Sequence, residues 1–256
     1  MNAAYKKPFI KIISFFGKKI EKKRFSGTPI YIGGCGRSGT TLLLSIISSH
    51  PDIFACPNEL GMFNNTYEKD GKIYPARKDR LHRTLLFNKI KKSATRYCEK
   101  SPSNIHHIND IDSYHDGDFK FIHIVRDGRD VILSKHPTSP DTYWVNPDRW
   151  INDVSAGLKE IDNPKVHTMR YEDLTGNYEE TISKICKFLD IELTDEILNW
   201  HKHTEVRKNR AYFGEVKPVF KSSVEKWKKP EFKERVEELT GRPEAVKLLK
   251  YFKYEI

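Results

Sequence analysis

Pro29-Ile30-Tyr31-Ile32-Gly33-Gly34-Cys35-Gly36-Arg37-Ser38-Gly39-Thr40-Thr41 decides how the rest of this 256-residue chain is read. The first part is a short apolar run ending in glycine, the pattern of a buried strand. Its far end opens an unbroken apolar segment (Leu42, Leu43, Leu44, Ile46, Ile47) that predicts a helix over 40–49, stopped by His50-Pro51. A glycine-rich strand-to-helix turn aims backbone N–H groups and a helix N-terminus at an anion. Gly34 and Gly39 have the spacing of the nucleotide-triphosphate loop G-x-x-x-x-G-K-[ST], but Thr40 stands where that loop has its lysine. The lysine normally reaches the β/γ-phosphates, and the hydroxyl after it holds Mg²⁺. Here the cation sits three residues earlier as Arg37, beside the hydroxyls of Ser38, Thr40 and Thr41. That set suits a terminal oxyanion group handled without metal.

Working outward, residues 119–125 and 165–170 predict two further strands. Helices are expected over 79–93, 103–113, 148–161, 177–189, 194–203 and 231–250, with another starting at Arg129. Residues 51–78 and 136–147 read as irregular. The alternation predicts an α/β fold: a three-layer P-loop-type domain with a central, mostly parallel sheet flanked by helices. Hydrophobic residues make up 38% of the chain, enough for a core, and the 31% that are charged are spread along it, which excludes wholesale disorder. No apolar run approaches the roughly 18 residues that span a bilayer. Cys35, Cys56, Cys98 and Cys186 lack C-x-x-C spacing, against a disulfide scaffold or a structural zinc site.

Net charge is +10, and residues 1–27 carry most of it, with eight of the 45 basic residues and one acid, Glu21. The remaining 37 basic and 34 acidic residues leave residues 28–256 at +3. A near-neutral body argues against a nucleic-acid partner, which needs basic charge on a folded face. The chain thus divides into a basic amphipathic N-terminal segment, 1–27, and a single domain, 28–256. Phe9, Ile13, Phe16 and Ile20 recur at helical spacing behind Pro8, with lysines on the other side. Such a segment suits a peripheral contact with an anionic membrane surface through residues 8–24, or a helix packed on its own domain. Lys11 interrupts the apolar stretch, unlike a secretory signal, so the expected location is cytoplasmic, at most peripheral on the inner membrane surface.

The loop 33–41 resembles the 5′-phosphosulfate-binding loop of sulfotransferases that use 3′-phosphoadenosine 5′-phosphosulfate (PAPS). The form Arg37-Ser38-Gly39-Thr40-Thr41 is that of the tyrosylprotein and carbohydrate branches. A second stretch, Val125-Arg126-Asp127-Gly128-Arg129-Asp130-Val131-Ile132-Leu133-Ser134, is similar to the family segment in which an arginine at a strand end and a serine eight residues later hold the 3′-phosphate. A guanidinium suits that task as a bidentate clamp. The resemblance implies that Gly36, Arg37, Ser38, Gly39, Thr40, Thr41, Arg126 and Ser134 bind PAPS, with adenosine 3′,5′-bisphosphate (PAP) as product and no metal. Arg170-Tyr171-Glu172-Asp173-Leu174 resembles the family stretch whose tyrosine approaches the nucleotide, adding Tyr171. Lys217-Pro218-Val219, followed by Lys226-Trp227, resembles the late cofactor segment of the tyrosylprotein enzymes, adding Lys217, Ser222 and Ser223. The family's serine shortly before that lysine has no counterpart among Asn209, Arg210 and Ala211.

Transfer of a sulfuryl group requires loss of a proton from the acceptor hydroxyl and stabilisation of charge on the leaving phosphate. Cys56-Pro57-Asn58-Glu59 is similar to the tyrosylprotein segment in which a glutamate three residues after a cysteine is the general base, which implies that role for Glu59. Cys98-Glu99-Lys100-Ser101-Pro102 resembles a family Cys-x-Lys-x-Pro segment, which makes Lys100, with Arg37, the stabiliser of the transferring group. The resemblance also implies that Cys56 and Cys98 lie close together, reduced in a cytoplasmic protein. Cys35 is expected to be mildly acidified by the helix terminus. Residues 60–95 and 136–150 are expected to frame the acceptor pocket, with Tyr67, Tyr74, Tyr143 and Trp144 available to stack on a glycan or a tyrosine-containing peptide. Two other readings stay open at this point: a P-loop kinase or NTPase, against which the missing lysine counts, and a non-catalytic membrane-surface adaptor on the same fold.

Overall fold

The computed structural model describes residues 6–64, 67–69, 72–74, 76–136, 139–206 and 223–256, with side chains from residue 10 on and none for 67–69, 72–74 and 140. Its strands are β1 (Ile30–Gly33), β2 (Ile53–Ala55), β3 (Tyr67–Lys69), β4 (Lys72–Tyr74), β5 (Arg96–Lys100), β6 (Lys120–Val125), β7 (Lys135–His136), β8 (Ser139–Tyr143) and β9 (Val166–Arg170). Its helices are α1 (Lys6–Arg24), α2 (Thr40–Ile47), α3 (Asp79–Phe87), α4 (Ile108–Tyr114), α5 (Gly128–Val131), α6 (Pro147–Leu158), α7 (Tyr171–Gly176), α8 (Tyr178–Leu189), α9 (Asp195–Leu198), α10 (Trp200–His203), α11 (Lys233–Thr240) and α12 (Pro243–Tyr251).

Five strands form one sheet in the order β2-β5-β1-β6-β9, and every neighbouring pair is parallel. The strand residues alternate between two cores, as the pleat requires. Ile30 and Ile32 pack with α2 and α8, through Leu43, Leu44, Ile46, Ile182 and Ile185. Tyr31 and Phe121 face the other way, toward Leu81, Ile105 and Ile111. A third cluster, with Val125, Val131, Trp150 and Leu249, closes the end beyond β6. The three-layer α/β fold expected from the sequence is the fold observed. The chain leaves β1 toward β2 and β5, then crosses back past β1 to β6. The carboxyl ends of β1 and β6 therefore flank a topological switch point, where open α/β sheets bind ligands.

Several elements differ from the sequence expectation. Residues 51–78 hold β2 and the β3–β4 hairpin, and the β7–β8 hairpin starts at Lys135 and extends into 136–147. The strand β5 escaped the pattern reading because three of its five residues, Arg96, Glu99 and Lys100, are charged types, yet all five are buried. Arg96 is buried by donating to the carbonyls of Thr28 and Leu189, at 2.6 and 2.5 Å. The helix expected over 79–93 stops at Phe87, and the one expected over 231–250 breaks at Gly241-Arg242, where Pro243 starts α12. The helix starting near Arg129 is the single turn α5, and 103–113 opens as a 3₁₀ turn over Pro102–His106 before α4.

The N-terminal helix α1 packs along α3 through Ile13 and Gly17, with Ile20 half-buried beside them. A Cβ on Gly17 would stand 2.2 Å from the His82 Cβ, so the two helices meet at backbone distance. Glu21 accepts from the hydroxyls of Tyr97 and Tyr114, each at 3.0 Å, and lies 3.4 Å from His82 Nε2. Burial pushes the Glu21 carboxyl up, but these three partners outweigh it and hold the group below its ordinary value. Of the expected apolar stripe, Ile13 and Ile20 face the body, Phe16 faces out at 52% exposure, and the Phe9 side chain lies outside the described part.

Candidate active site

The turn from β1 into α2 runs through positive φ at three positions, two of which need glycine and one of which strains an arginine. Gly34 has φ +141°, and a Cβ there would lie 2.4 Å from the Ile124 carbonyl oxygen. Gly39 has φ +97°, and a Cβ there would lie 2.5 Å from the Tyr171 ring. Arg37 takes φ +70° without being glycine. Such strain persists only where the surroundings over-determine it, and it clusters at ligand sites. The Gly34 N–H donates to the Pro102 carbonyl and the Ser38 N–H to the Cys35 carbonyl, at 3.0 and 3.1 Å. Ser38 is fully buried, and its Oγ has no hydrogen-bond partner among the described residues. The Nε atoms of Arg37 and Arg126 are likewise buried and unpaired among the described residues. Buried donors without acceptors are costly, so they point to an anion as the missing partner.

Arg126 ends β6 directly beside this turn. Its Nη1 donates to the Arg37 carbonyl at 3.1 Å and its Nη2 to the Ser223 carbonyl at 2.5 Å. Its guanidinium lies 4.6 Å from the centre of the Tyr171 ring, and the Tyr171 hydroxyl meets Ser223 Oγ at 2.8 Å. Burial and the neighbouring Arg126 both push the Arg37 guanidinium below its ordinary pKa. Two arginines in repulsive proximity, with free donor nitrogens, favour an anion between them. The late segment is tied in by Asp130, which accepts from the Glu225 and Trp227 N–H groups at 2.8 and 3.1 Å. Asp130 also lies 3.9 Å from Arg126, four residues away on the same turn.

On the other side of β1, Lys100 ends β5 and is 2% exposed. Its ammonium donates to Thr41 Oγ1 at 3.0 Å and pairs with Glu59 Oε1. The Glu59 side chain is 55% exposed. The strap carrying it is fixed by Glu99, whose side chain points away from Lys100 as strand alternation demands. Glu99 accepts from the Leu60 N–H at 3.0 Å, Ser101 Oγ at 2.7 Å and Asn104 Nδ2 at 2.6 Å. Burial raises the Glu99 carboxyl above its ordinary pKa despite these donors. A Cβ on Gly36 would sit 3.2 Å from Arg149 Nη2 and 3.5 Å from the Trp144 indole nitrogen, so segment 136–150 reaches the turn. The His136 ring stacks on Trp144 at 4.3 Å.

The residues expected from the sequence fall into two joined groups. Arg37, Ser38, Arg126, Tyr171 and Ser223 meet on one side, Glu59, Lys100 and Thr41 on the other, and the turn with Gly36, Gly39 and Thr40 links them. Ser134 is placed by its carbonyl, which accepts from the Trp144 N–H at 2.9 Å; among the described residues its hydroxyl shares no hydrogen bond with Arg126. Lys217 and Ser222 lie outside the described residues, as do the side chains of Tyr67 and Tyr74. Cys56 and Cys98 are neighbours, with the Cys56 N–H donating to the Cys98 carbonyl at 2.8 Å, and both thiols are free. Cys35 corrects the expectation of an acidified thiol: burial, then the Asp153 carboxylate, push it well above its ordinary pKa. Glu99 and Asp130 were missed by sequence reasoning. The signals for them were strand parity, opposite Lys100, and the four-residue spacing from Arg126.

A sequence profile described as the sulfotransferase family matches residues 29–195, and the chain belongs to that family. It is 25% identical over 239 residues to an uncharacterised protein of Aquifex aeolicus. It is 26% identical over 237 residues to the protein-tyrosine sulfotransferase of Drosophila melanogaster. These alignments cover 80% and 77% of this chain, but 31% and 46% of the two relatives. Two solved structures share the fold. One is the sulfotransferase domain of the Synechococcus PCC 7002 olefin synthase, with a TM-score of 0.58 and 18% identity over 91% of this chain and 97% of that one. The other is mouse sulfotransferase SULT7A1 complexed with PAP, with a TM-score of 0.54 and 17% identity over 94% and 95%.

Proposed function

We propose that this protein transfers a sulfuryl group from PAPS to an acceptor hydroxyl, with the tyrosine of a peptide or protein as the acceptor. The observation that carries the reading is the hydrogen bond from Arg126 to the Arg37 carbonyl, which joins two sequence-distant motifs around unpaired buried donors. The 5′ end of the donor would be held by Arg37, Ser38, Thr40, Thr41 and the backbone of the turn. The 3′-phosphate would be held by Arg126 with Ser134 and Ser223, beside Tyr171, and Lys217 and Ser222 would complete the grip. Bound PAPS supplies the sulfuryl group and its phosphate leaving group. The name of the Drosophila relative favours tyrosine over a glycan.

Glu59 takes the acceptor's hydroxyl proton on its carboxylate. Once protonated, it loses its charge attraction for Lys100. The ammonium, still bonded to Thr41 at the mouth of the turn, is then free to face the charge that builds on the leaving oxygen. Proton removal and charge stabilisation are thus coupled through one ion pair. Labelled PAPS offered to tyrosine peptides and to glycans, read by mass spectrometry, tests the reading. Sulfated tyrosine is the expected product. Sulfated glycan alone would overturn the acceptor, and the absence of any transfer together with no PAP binding would overturn the function. Glu59→Ala separates an enzyme, which loses turnover and keeps PAP, from an adaptor on the same fold, whose function ignores it.

A further inference from the structure

We propose that the outward face of α1 is a docking surface for an anionic lipid bilayer. At about 100° per residue, Phe15, Ile12 and Phe16 fall within roughly 100° of arc on this helix. They are 62%, 55% and 52% exposed, among the larger apolar side chains left in water. Phe15 and Phe16 meet edge to face at 5.3 Å, and the Lys19 ammonium sits 5.5 Å from the Phe15 ring centre. Lys11, Lys18, Lys19, Lys22 and Lys23 are all exposed around this patch. The opposite side of the helix is already occupied. Ile13 and Gly17 pack on the body, and Glu21, the one acid of residues 1–27, is turned inward onto Tyr97, Tyr114 and His82.

The body therefore removes the helix's own anion from the outer face and fixes the orientation of what remains. That remainder is five cations and no acid beside an apolar wedge, along a helix of 19 residues. An anionic bilayer meets both demands at once, with headgroup charge for the lysines and hydrocarbon directly beneath for the rings. A second copy of the chain would bring the same five cations against these and be repelled. No helix among the described residues is long and apolar enough to cross a membrane, so the contact lies along the surface.

Sedimentation of the full chain with phosphatidylcholine vesicles, with and without phosphatidylglycerol, tests this without donor or acceptor and so independently of the transfer reaction. The chain is expected to bind the anionic vesicles and to be released by salt. Phe15→Ser with Phe16→Ser should weaken binding by at least about tenfold, and Lys19→Glu with Lys23→Glu by a similar factor. Both variants should keep the parent's circular dichroism and PAP affinity, since these side chains face water. Failure to bind anionic vesicles, equal binding to neutral ones, or unchanged binding of both variants would overturn the proposal. So would a change in sedimentation-equilibrium mass, or loss of nucleic-acid binding, as the variants' main effect.

Discussion

Arg126 is 8% exposed and is engaged by the Arg37 carbonyl, the Ser223 carbonyl, the Tyr171 ring and Asp130. Glu59 keeps 55% of its side chain in water, and its one ionic partner among the described residues is Lys100. Arg126 ends β6, and Glu59 lies on the strap after β2, against Lys100 at the end of β5, so the two sit on opposite flanks of β1 and the contrast lies in how each flank is built. The β6 flank is dry, strained and crossed by contacts from distant parts of the chain, which suits an invariant ligand. The β5 flank is anchored beneath by Glu99 and left open above, which suits a bulky acceptor that must come and go. Binding of the donor and activation of the acceptor should therefore be separable by mutation.

The largest expected effect is on the open flank. Glu59→Gln should lower turnover by about 10²–10⁴-fold while PAP affinity, measured by calorimetry, stays within error of the parent. A parallel loss of PAP affinity would break the contrast. On the closed flank, Arg126→Ala should weaken PAP by about 10–100-fold, because it removes a charged donor and leaves the Arg37 and Ser223 carbonyls unsatisfied. Glu99→Gln is a finer probe. Its amide puts a donor among three donors and should loosen the Glu59 strap, with kcat falling about tenfold while the KM for PAPS is unchanged. A rise in that KM instead would place Glu99 in donor binding.

The smallest effect is on stability against acid. Burial pushes His123 on β6 and His115 after α4 down from the ordinary 6.5 to about 4. Both stay neutral in the folded protein while the unfolded chain takes up protons below 6.5. Stability is therefore complete above that value and falls as pH drops toward 4, by about 1.4 kcal/mol per pH unit for each histidine at most. Glu21, held below its ordinary 4.5, adds a loss below that point. Urea midpoints measured at pH 7 and pH 5 should fall in that order. Equal midpoints would mean that His123 and His115 are not held neutral.

The closed flank was legible in the sequence and the open flank less so, for a physical reason. Glycines at positive φ, a terminal arginine and a buried apolar strand leave a pattern in single residues, so the turn and Arg126 stood out. The strand β5 reads as polar because Arg96, Glu99 and Lys100 are charged types, and the contacts that let them be buried come from residues far along the chain, such as the Leu189 carbonyl that accepts from Arg96. Glu99 was hidden for a similar reason, since its partner Leu60 lies 39 residues away and becomes a neighbour only in the folded chain. Helical spacing showed that α1 is amphipathic but not which side is covered. That depended on Gly17 allowing close approach to His82, and on Glu21 finding two tyrosines.

The central claim, that Arg37 and Arg126 grip one doubly anionic adenine nucleotide, is tested most directly by calorimetric titration of PAP into the parent chain and into Arg37→Ala and Arg126→Ala. The account predicts saturable binding to the parent, weakened by at least about tenfold in each variant. No binding to the parent, or the same affinity in all three proteins, would contradict it.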